Sequence, residues 1–167
     1  MMQVCVTRFN NKTIEENKNW KKINNEIGCI YGTPIKISDN ILPETTILVL
    51  EMNNSINKIE GIGIIKNKLM KENKKYYKIY SDNNYNRFIY KSNYRIDKSN
   101  LTNSEKKILE NLEDLLFKHS THCKRGQGIQ KISNKVKKFE EFNYIKFLID
   151  LYNKKFINII NCKLIVN

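Results

Sequence analysis

Cysteine is scarce in this chain and never clustered. Cys5, Cys29, Cys123 and Cys162 stand singly, with no C-x-x-C pair. That spacing excludes a zinc ribbon and a disulfide scaffold, and it fits structural cysteines kept as reduced thiols. Long apolar runs are missing too. None approaches the roughly 20 residues that cross a bilayer, and MMQVCVTRFNN lacks the basic start and apolar core of a secretion signal. The expectation is an intracellular chain, cytoplasmic, with no membrane partner. Proline (2) and glycine (6) are too few for a fibrous or linker-like sequence. Acid is also short: 17 Asp+Glu against 30 Lys+Arg leave a formal charge of +13. Such an excess favours a polyanionic partner, nucleic acid first. The abundance of Asn, Lys and Ile follows A/T-rich codons, as in a large DNA virus, and supplies part of that charge.

With 40% apolar residues, the 167 residues suffice for a real core and read as a single domain, 1–167, with no repeat or dividing linker. Residues 45–66, TTILVLEMNNSINKIEGIGIIK, organise it. Two β-rich runs flank the turn-like NNSINK, which predicts a hairpin. The first run is almost continuously apolar, so its strand is covered on both faces. The second alternates Gly61 and Gly63 with Ile62 and Ile64, opening one face to close approach by another group. QVCVTRF, GCIYG, YYKIYS and RFIYKSNYRI complete six candidate strands in residues 1–100. The first is placed at an edge or tied into a barrel. Thr13 and Glu16 have capping-box spacing and predict a short helix anchored by Ile14, Trp20 and Ile23. Thr102 and Glu105 predict a second helix with a stripe of Ile108, Leu109, Leu112, Leu115 and Leu116, and with Lys106, Glu110, Glu113 and Asp114 facing elsewhere. A last helix, capped by Ser133 or Asn134, carries Phe139, Phe142, Ile145, Ile149, Tyr152 and Phe156 on one face. The fold class is α+β: a small curled β-barrel over residues 1–100 with one inserted helix, and two C-terminal helices in a helical extension, 101–167, packed on it.

The strongest charge feature is residues 118–138, which hold seven cations and no acid. Within it Lys124, Arg125, Gly126, Gln127 and Gly128 set two cations beside two glycines. Glycines let backbone amides approach a phosphate closely, and the cations neutralise it. A solvated basic loop is the competing reading. G-x-x-x-x-G-K-[ST] is absent, so this is no Walker loop. His119, His122 and Cys123 offer three metal-type ligands without a fourth at a recognisable spacing, so no metal is expected. Cys123 beside histidine lacks an oxyanion hole and an orienting acid. Glu51 and Glu60 flank the hairpin and could approach each other, yet no further ligand completes a cation site. The chain is therefore read as non-enzymatic and without a cofactor.

VLEMNNSINKIEGIGII, an apolar strand, an Asn-containing turn and a G-x-G strand, resembles the central ribbon of PUA-like domains, the YTH and EVE groups above all. The upstream helix bearing Trp20, followed by a short strand and a loop, stands in a similar order, and the resemblance covers residues 4–96. It implies a small β-barrel that accepts one base, often modified, in an aromatic-lined pocket. Carried across by position, Trp20 is a pocket wall and Met52, Asn53 and Asn54 stand at its mouth. Only one tryptophan is present where a methyl-reading cage uses two or three aromatics, so Tyr31, Tyr76, Tyr77, Tyr80 or Tyr90 would have to substitute. Read from the residues alone, Trp20 plugs the core, Met52 fills it, and the asparagines are ordinary turn residues.

The reading that follows is a non-catalytic nucleic-acid-binding module, RNA favoured. It holds one base, modified or not, near the ribbon, with the phosphates on residues 124–128. The alternative is a viral protein-interaction module that occupies a host protein without nucleic acid.

Overall fold

The computed structural model describes residues 2–70, 77–118, 120–133, 136 and 142–157. Strand β1 (Gln3–Phe9) leads into helix α1 (Asn11–Ile23), the short strand β2 (Cys29–Thr33) and the hairpin β3 (Thr46–Asn53) and β4 (Lys58–Lys66). Then come β5 (Phe88–Ser92), β6 (Tyr94–Asp97), helix α2 (Asn103–Phe117), the two-residue β7 (Gln130–Lys131) and helix α3 (Tyr144–Tyr152). The architecture is α+β. A mixed five-stranded sheet runs β6-β4-β3-β1-β7, and β2 and β5 form a separate two-stranded ribbon.

The sheet is the middle layer, and the alternation of side chains along each strand divides the core in two. From β1 and β3, Val4, Val6, Leu48, Leu50 and Met52 pack with α2 and α3, against Leu109, Leu112, Leu116, Leu148 and Leu151. The opposite faces, Cys5, Phe9, Ile47 and Val49, pack with the ribbon residues Ile30, Tyr31, Ile89 and Tyr90 and with Ile14 of α1. β3 is covered on both sides, as its apolar run requires. The hairpin is antiparallel, with a register irregularity between Leu50 and Met52. Ahead of that irregularity Ile59 shares a core with Ile62 and Ile64, although alternation alone would set it on the other face.

Gly61 and Gly63 do admit close neighbours, and both belong to this chain. A Cβ at Gly61 would lie 2.4 Å from an Arg95 guanidinium nitrogen, and one at Gly63 would lie 1.7 Å from the Tyr31 hydroxyl. Arg95 and Tyr31 converge on buried Glu51. The phenol donates to Oε1 at 2.8 Å, and Arg95 Nη2 donates to Oε2 at 2.7 Å. Burial pushes the Tyr31 phenol well above its ordinary pKa. Glu51 and Glu60 therefore do not form a cation site: Glu60 takes Asn53 Nδ2 at 3.0 Å and Lys18 at 3.5 Å.

Several expectations are corrected. Of the two placements expected for β1, the edge is excluded: it is an interior strand, parallel to β3 and antiparallel to β7, and the parallel partner was invisible in its short alternating pattern. α1 is capped by Asn10, whose Oδ1 accepts from Thr13 N, so Thr13 is the third helical residue and not the cap. Ile23 is 80% exposed, and buried Asn17 anchors the helix instead, donating to the Ile30 carbonyl and the Tyr80 hydroxyl. In YYKIYS, residues 77–81 form no strand, while RFIYKSNYRI divides into β5 and β6. The Thr102–Glu105 capping box is present, but Glu113 faces inward. Its carboxylate accepts the Ile59 amide at 2.8 Å and pairs with Lys98 and Lys58. The last helix is capped by Asn143 and buries Tyr144, Leu148 and Leu151. Ile145, Ile149 and Tyr152 are only half-buried and Phe142 is exposed, because starting at Tyr144 turns that face toward the surface. Asn134 and Phe139 lie outside the described residues.

Candidate nucleic-acid interface

β1 and β3 run parallel and end side by side, at Phe9 and Asn53. Beyond Phe9 the chain turns at Asn10 into α1, and beyond Asn53 it turns through 54–57 to β4. Residues 123–128 cross the gap. Arg8 Nε donates to the Cys123 carbonyl, Asn54 Nδ2 donates to the Lys124 carbonyl at 3.0 Å, and Lys124 Nζ donates to Asn57 Oδ1 at 2.8 Å. The result is a cleft of about 200 Å³ walled by Arg8, Asn54, Tyr85, Lys124 and the 126–128 backbone, with Asn10 and Thr13 of α1 at its rim. A narrower recess continues from it toward Gly32, Thr33 and Tyr80. Among the described residues no carboxylate lines either.

Two buried polar atoms here have no partner among the described residues: Arg8 Nη1 and Asn54 Oδ1. Burial lowers the Arg8 pKa from its ordinary value, yet a guanidinium keeps its charge at neutral pH. A buried donor and a buried acceptor without a partner each sacrifice about 1–3 kcal/mol, more for the charged one. Gly126 (φ +112) and Gly128 (φ +69) hold backbone conformations that side chains resist. A Cβ at Gly126 would lie 2.4 Å from Gln130 Oε1. The glycines therefore shape the loop.

Comparison with family models, curated proteins and solved structures finds no match.

Of the residues singled out from sequence, Asn54, Lys124, Gly126, Gln127 and Gly128 line one cleft, and Arg125 is exposed beside it. Met52 is wholly buried in the core under α2 and α3, so it cannot stand at a mouth. Asn53 is buried too. Its amide bridges Asn11 and Glu60, and its Oδ1 takes the Ser55 amide, which fixes the turn. Trp20 is half-buried on α1 against Tyr77, ring centroids 5.7 Å apart, and does not line the cleft; it sits seven residues along the helix from Thr13, about 10 Å. The aromatics lining the cleft are Phe9, itself largely buried, and Tyr85, which Tyr80 braces edge-on at 6.2 Å. Arg8 was missed as well. The signal was present, since Arg8 continues the Val4–Val6 face, where a charge is out of place. His122 is exposed, His119 lies outside the described residues, and no metal-type cluster occurs among the described residues. Cys5, Cys29 and Cys123 are buried and not joined in a disulfide, and burial pushes Cys29 up to about 11. Cys162 lies outside the described residues.

Proposed function

We propose that this chain is a non-catalytic nucleic-acid-binding module, RNA favoured, which seats one nucleotide in the Arg8–Asn54–Tyr85–Lys124 cleft. The observation that carries this reading is the convergence of Arg8, Asn54, Tyr85 and Lys124 on one cleft in which no described residue contributes a carboxylate. Arg8 and Lys124 suit a phosphate, the amides around Gly126 and Gly128 can approach it, and the N-terminus of α1 adds its partial positive charge. A polar wall of Asn10, Thr13 and Asn54 suits a base edge or a ribose 2′-hydroxyl, the group that separates RNA from DNA. Tyr85 supplies a stacking face. A PUA-like curled barrel is the finer reading of the fold, supported by the β2–β5 ribbon closing over the glycine face of β4.

The test is fluorescence anisotropy with single-stranded RNA across a salt series. Base stacking contributes about 1–3 kcal/mol, so Tyr85→Ala weakens binding tenfold or more without changing the salt slope. Arg8→Gln with Lys124→Ala weakens it further and flattens the slope by about 0.7 per phosphate lost. Trp20→Phe, outside the cleft, leaves both unchanged. Undiminished binding by the Arg8/Lys124 variant would overturn the assignment.

A protein-interaction module is the second reading. It draws on an apolar groove of about 460 Å³ between α2 and α3, walled by Ile108, Phe142, Phe147 and Leu151. A partner captured through nuclease treatment and lost on Phe147→Asp would favour it.

A further inference from the structure

The carboxylates of this protein are distributed unevenly among its cations. Some lysines and arginines are neutralised: Lys18 by Glu60, Lys58 and Lys98 by Glu113, Arg95 by Glu51 and Asp97, Lys154 by Glu105. Others on the same elements, such as Lys12, Lys21, Lys66 and Lys106, have no carboxylate within 4 Å among the described residues, and the cations near the cleft are of that kind. Among the described residues, Arg8, Lys36, Arg87, Lys124 and Arg125 have no carboxylate within 4 Å.

Lys36 and Arg87 also converge. Lys36 Nζ lies 5.6 Å and the Arg87 guanidinium 5.5 Å from the centre of the Phe88 ring. Two exposed cations on one half-buried ring repel each other, and the ring's negative face offsets only part of that. They are held together because Thr33 pairs with Phe88 across the β2–β5 ribbon, which brings the chain after β2 beside the chain before β5. Both segments begin in the cleft. Tyr85 is two residues before Arg87, a span of at most about 7 Å. Ile35, the neighbour of Lys36, is where a Cβ on Gly128 would meet the chain, at 3.0 Å. The cleft and this second cationic pair are thus two ends of one surface, Tyr85 and the Gly128–Ile35 contact lying between.

We infer that the ligand is a single-stranded nucleic acid several nucleotides long, which leaves the cleft past Tyr85 and lays its next phosphates on Lys36 and Arg87. This rests on the nucleic-acid reading of the cleft and goes beyond it. A cleft alone would serve a free nucleotide, whereas two cations gathered on one ring beside it offer a place for the next phosphates of a continuing chain. A duplex does not suit a surface with an aromatic recess at one end, because its bases are already stacked and paired.

The experiment compares wild type, Lys36→Gln/Arg87→Gln and Arg8→Gln/Lys124→Ala by anisotropy on a labelled dinucleotide, a 12-nucleotide single-stranded RNA, the same sequence as DNA, and a 12-base-pair RNA duplex. Both altered Lys36/Arg87 positions are exposed, and circular dichroism melts confirm that the variant folds. Expected for it are a loss of tenfold or more on the 12-mer, a salt slope shallower by about 1.4, and no change on the dinucleotide. Equal losses on dinucleotide and 12-mer, no loss on the 12-mer, or tighter binding of the duplex would each overturn the inference. If the Arg8/Lys124 variant binds the 12-mer as wild type does, the cleft reading fails instead. If only that variant loses affinity, the cleft stands and the extended track falls.

Discussion

Adding one methyl at Gly63 tests how the two cores meet. Its Cβ would lie 1.7 Å from Tyr31 Oη, 2.7 Å from Cζ and 2.9 Å from Cys29 Sγ. Neither side chain has room to retreat, since Tyr31 is 1% and Cys29 2% exposed. The phenol is also held by its hydrogen bond to Glu51, which Arg95 clamps with three contacts of 2.7–3.1 Å. Gly63→Ala must either part the ribbon from the sheet or push the hydroxyl off the carboxylate. Overpacking costs about 1–3 kcal/mol, and a lost hydrogen bond to a charged acceptor about 1.5–3 kcal/mol. A total near 3 kcal/mol is expected, which for a chain this long lowers Tm by about 6–12 °C. Tyr31→Phe alone removes the hydrogen bond. In the double variant the 1.7 Å clash is gone, so its destabilisation falls short of the sum of the singles by about 1 kcal/mol or more. Urea unfolding of the four proteins, followed by far-ultraviolet circular dichroism, measures all the terms. A Gly63→Ala protein within about 0.5 kcal/mol of wild type, or strict additivity, would refute the argued contact.

Two further outcomes follow from buried charge. Burial pushes the Asp97 carboxyl up, but hydrogen bonds from Arg95 and from the Ser99 amide and hydroxyl outweigh it and hold the pKa at about 2, below the ordinary 3.8. Between those values the unfolded chain binds more protons, so this stabilisation is complete above pH 4 and is lost as pH falls toward 2. The urea midpoint should decline through that window, and more shallowly in Asp97→Asn. Glu113→Ala strands the Ile59 amide and frees Lys58 and Lys98, for a loss of about 3 kcal/mol read from thermal melts, whereas Glu113→Gln, keeping an acceptor, should lose less.

What could be read from sequence was what local pattern determines. ILVL is too apolar for a half-exposed strand, so β3 had to be buried on both faces. The alternating glycines of β4 had to face something close, although sequence could not say that it was Tyr31 and Arg95. Out of reach were pairings made across long separations. β1 looks like an edge because nothing in QVCVTRF names β3 as a parallel partner, and the cap of α1 moved to Asn10 because two good capping residues stand three apart. The inward charges were legible in principle. Arg8 follows Val4 and Val6, Glu51 follows Ile47 and Val49, and Glu113 follows Leu109 by one helical turn. Each sits on an apolar face where only a partnered charge, or a functional one, is tolerated. Trp20 lies away from the cleft because α1 carries it about two turns beyond Thr13, whereas the segment before β5 brings Tyr85 to the cleft, a placement that no local pattern announces.

Codon bias alone would make the basic loop a solvated run of interchangeable lysines, and the position of its backbone argues otherwise. Parallel strands end at the same edge of a sheet, and the chains leaving β1 and β3 diverge there, one into α1 and the other into the hairpin turn. Ligand sites in sheets with parallel strands favour such a crevice beyond the carboxyl ends. Here residues 123–128 are fastened across it from both strands, by Arg8 on the Cys123 carbonyl and Asn54 on the Lys124 carbonyl, while β7 pairs Gln130 with Val6 immediately behind. A loop tied down by side chains 115 and 70 residues away has lost most of its freedom before any ligand arrives. Its ordering entropy is spent in folding and does not weaken binding. Arg8 uses its Nε for that tie and also lines the cleft, so the same residue fixes the loop and shapes the recess. That double use is the physical reason to treat the cleft as a built site and the surrounding positive charge as its rim.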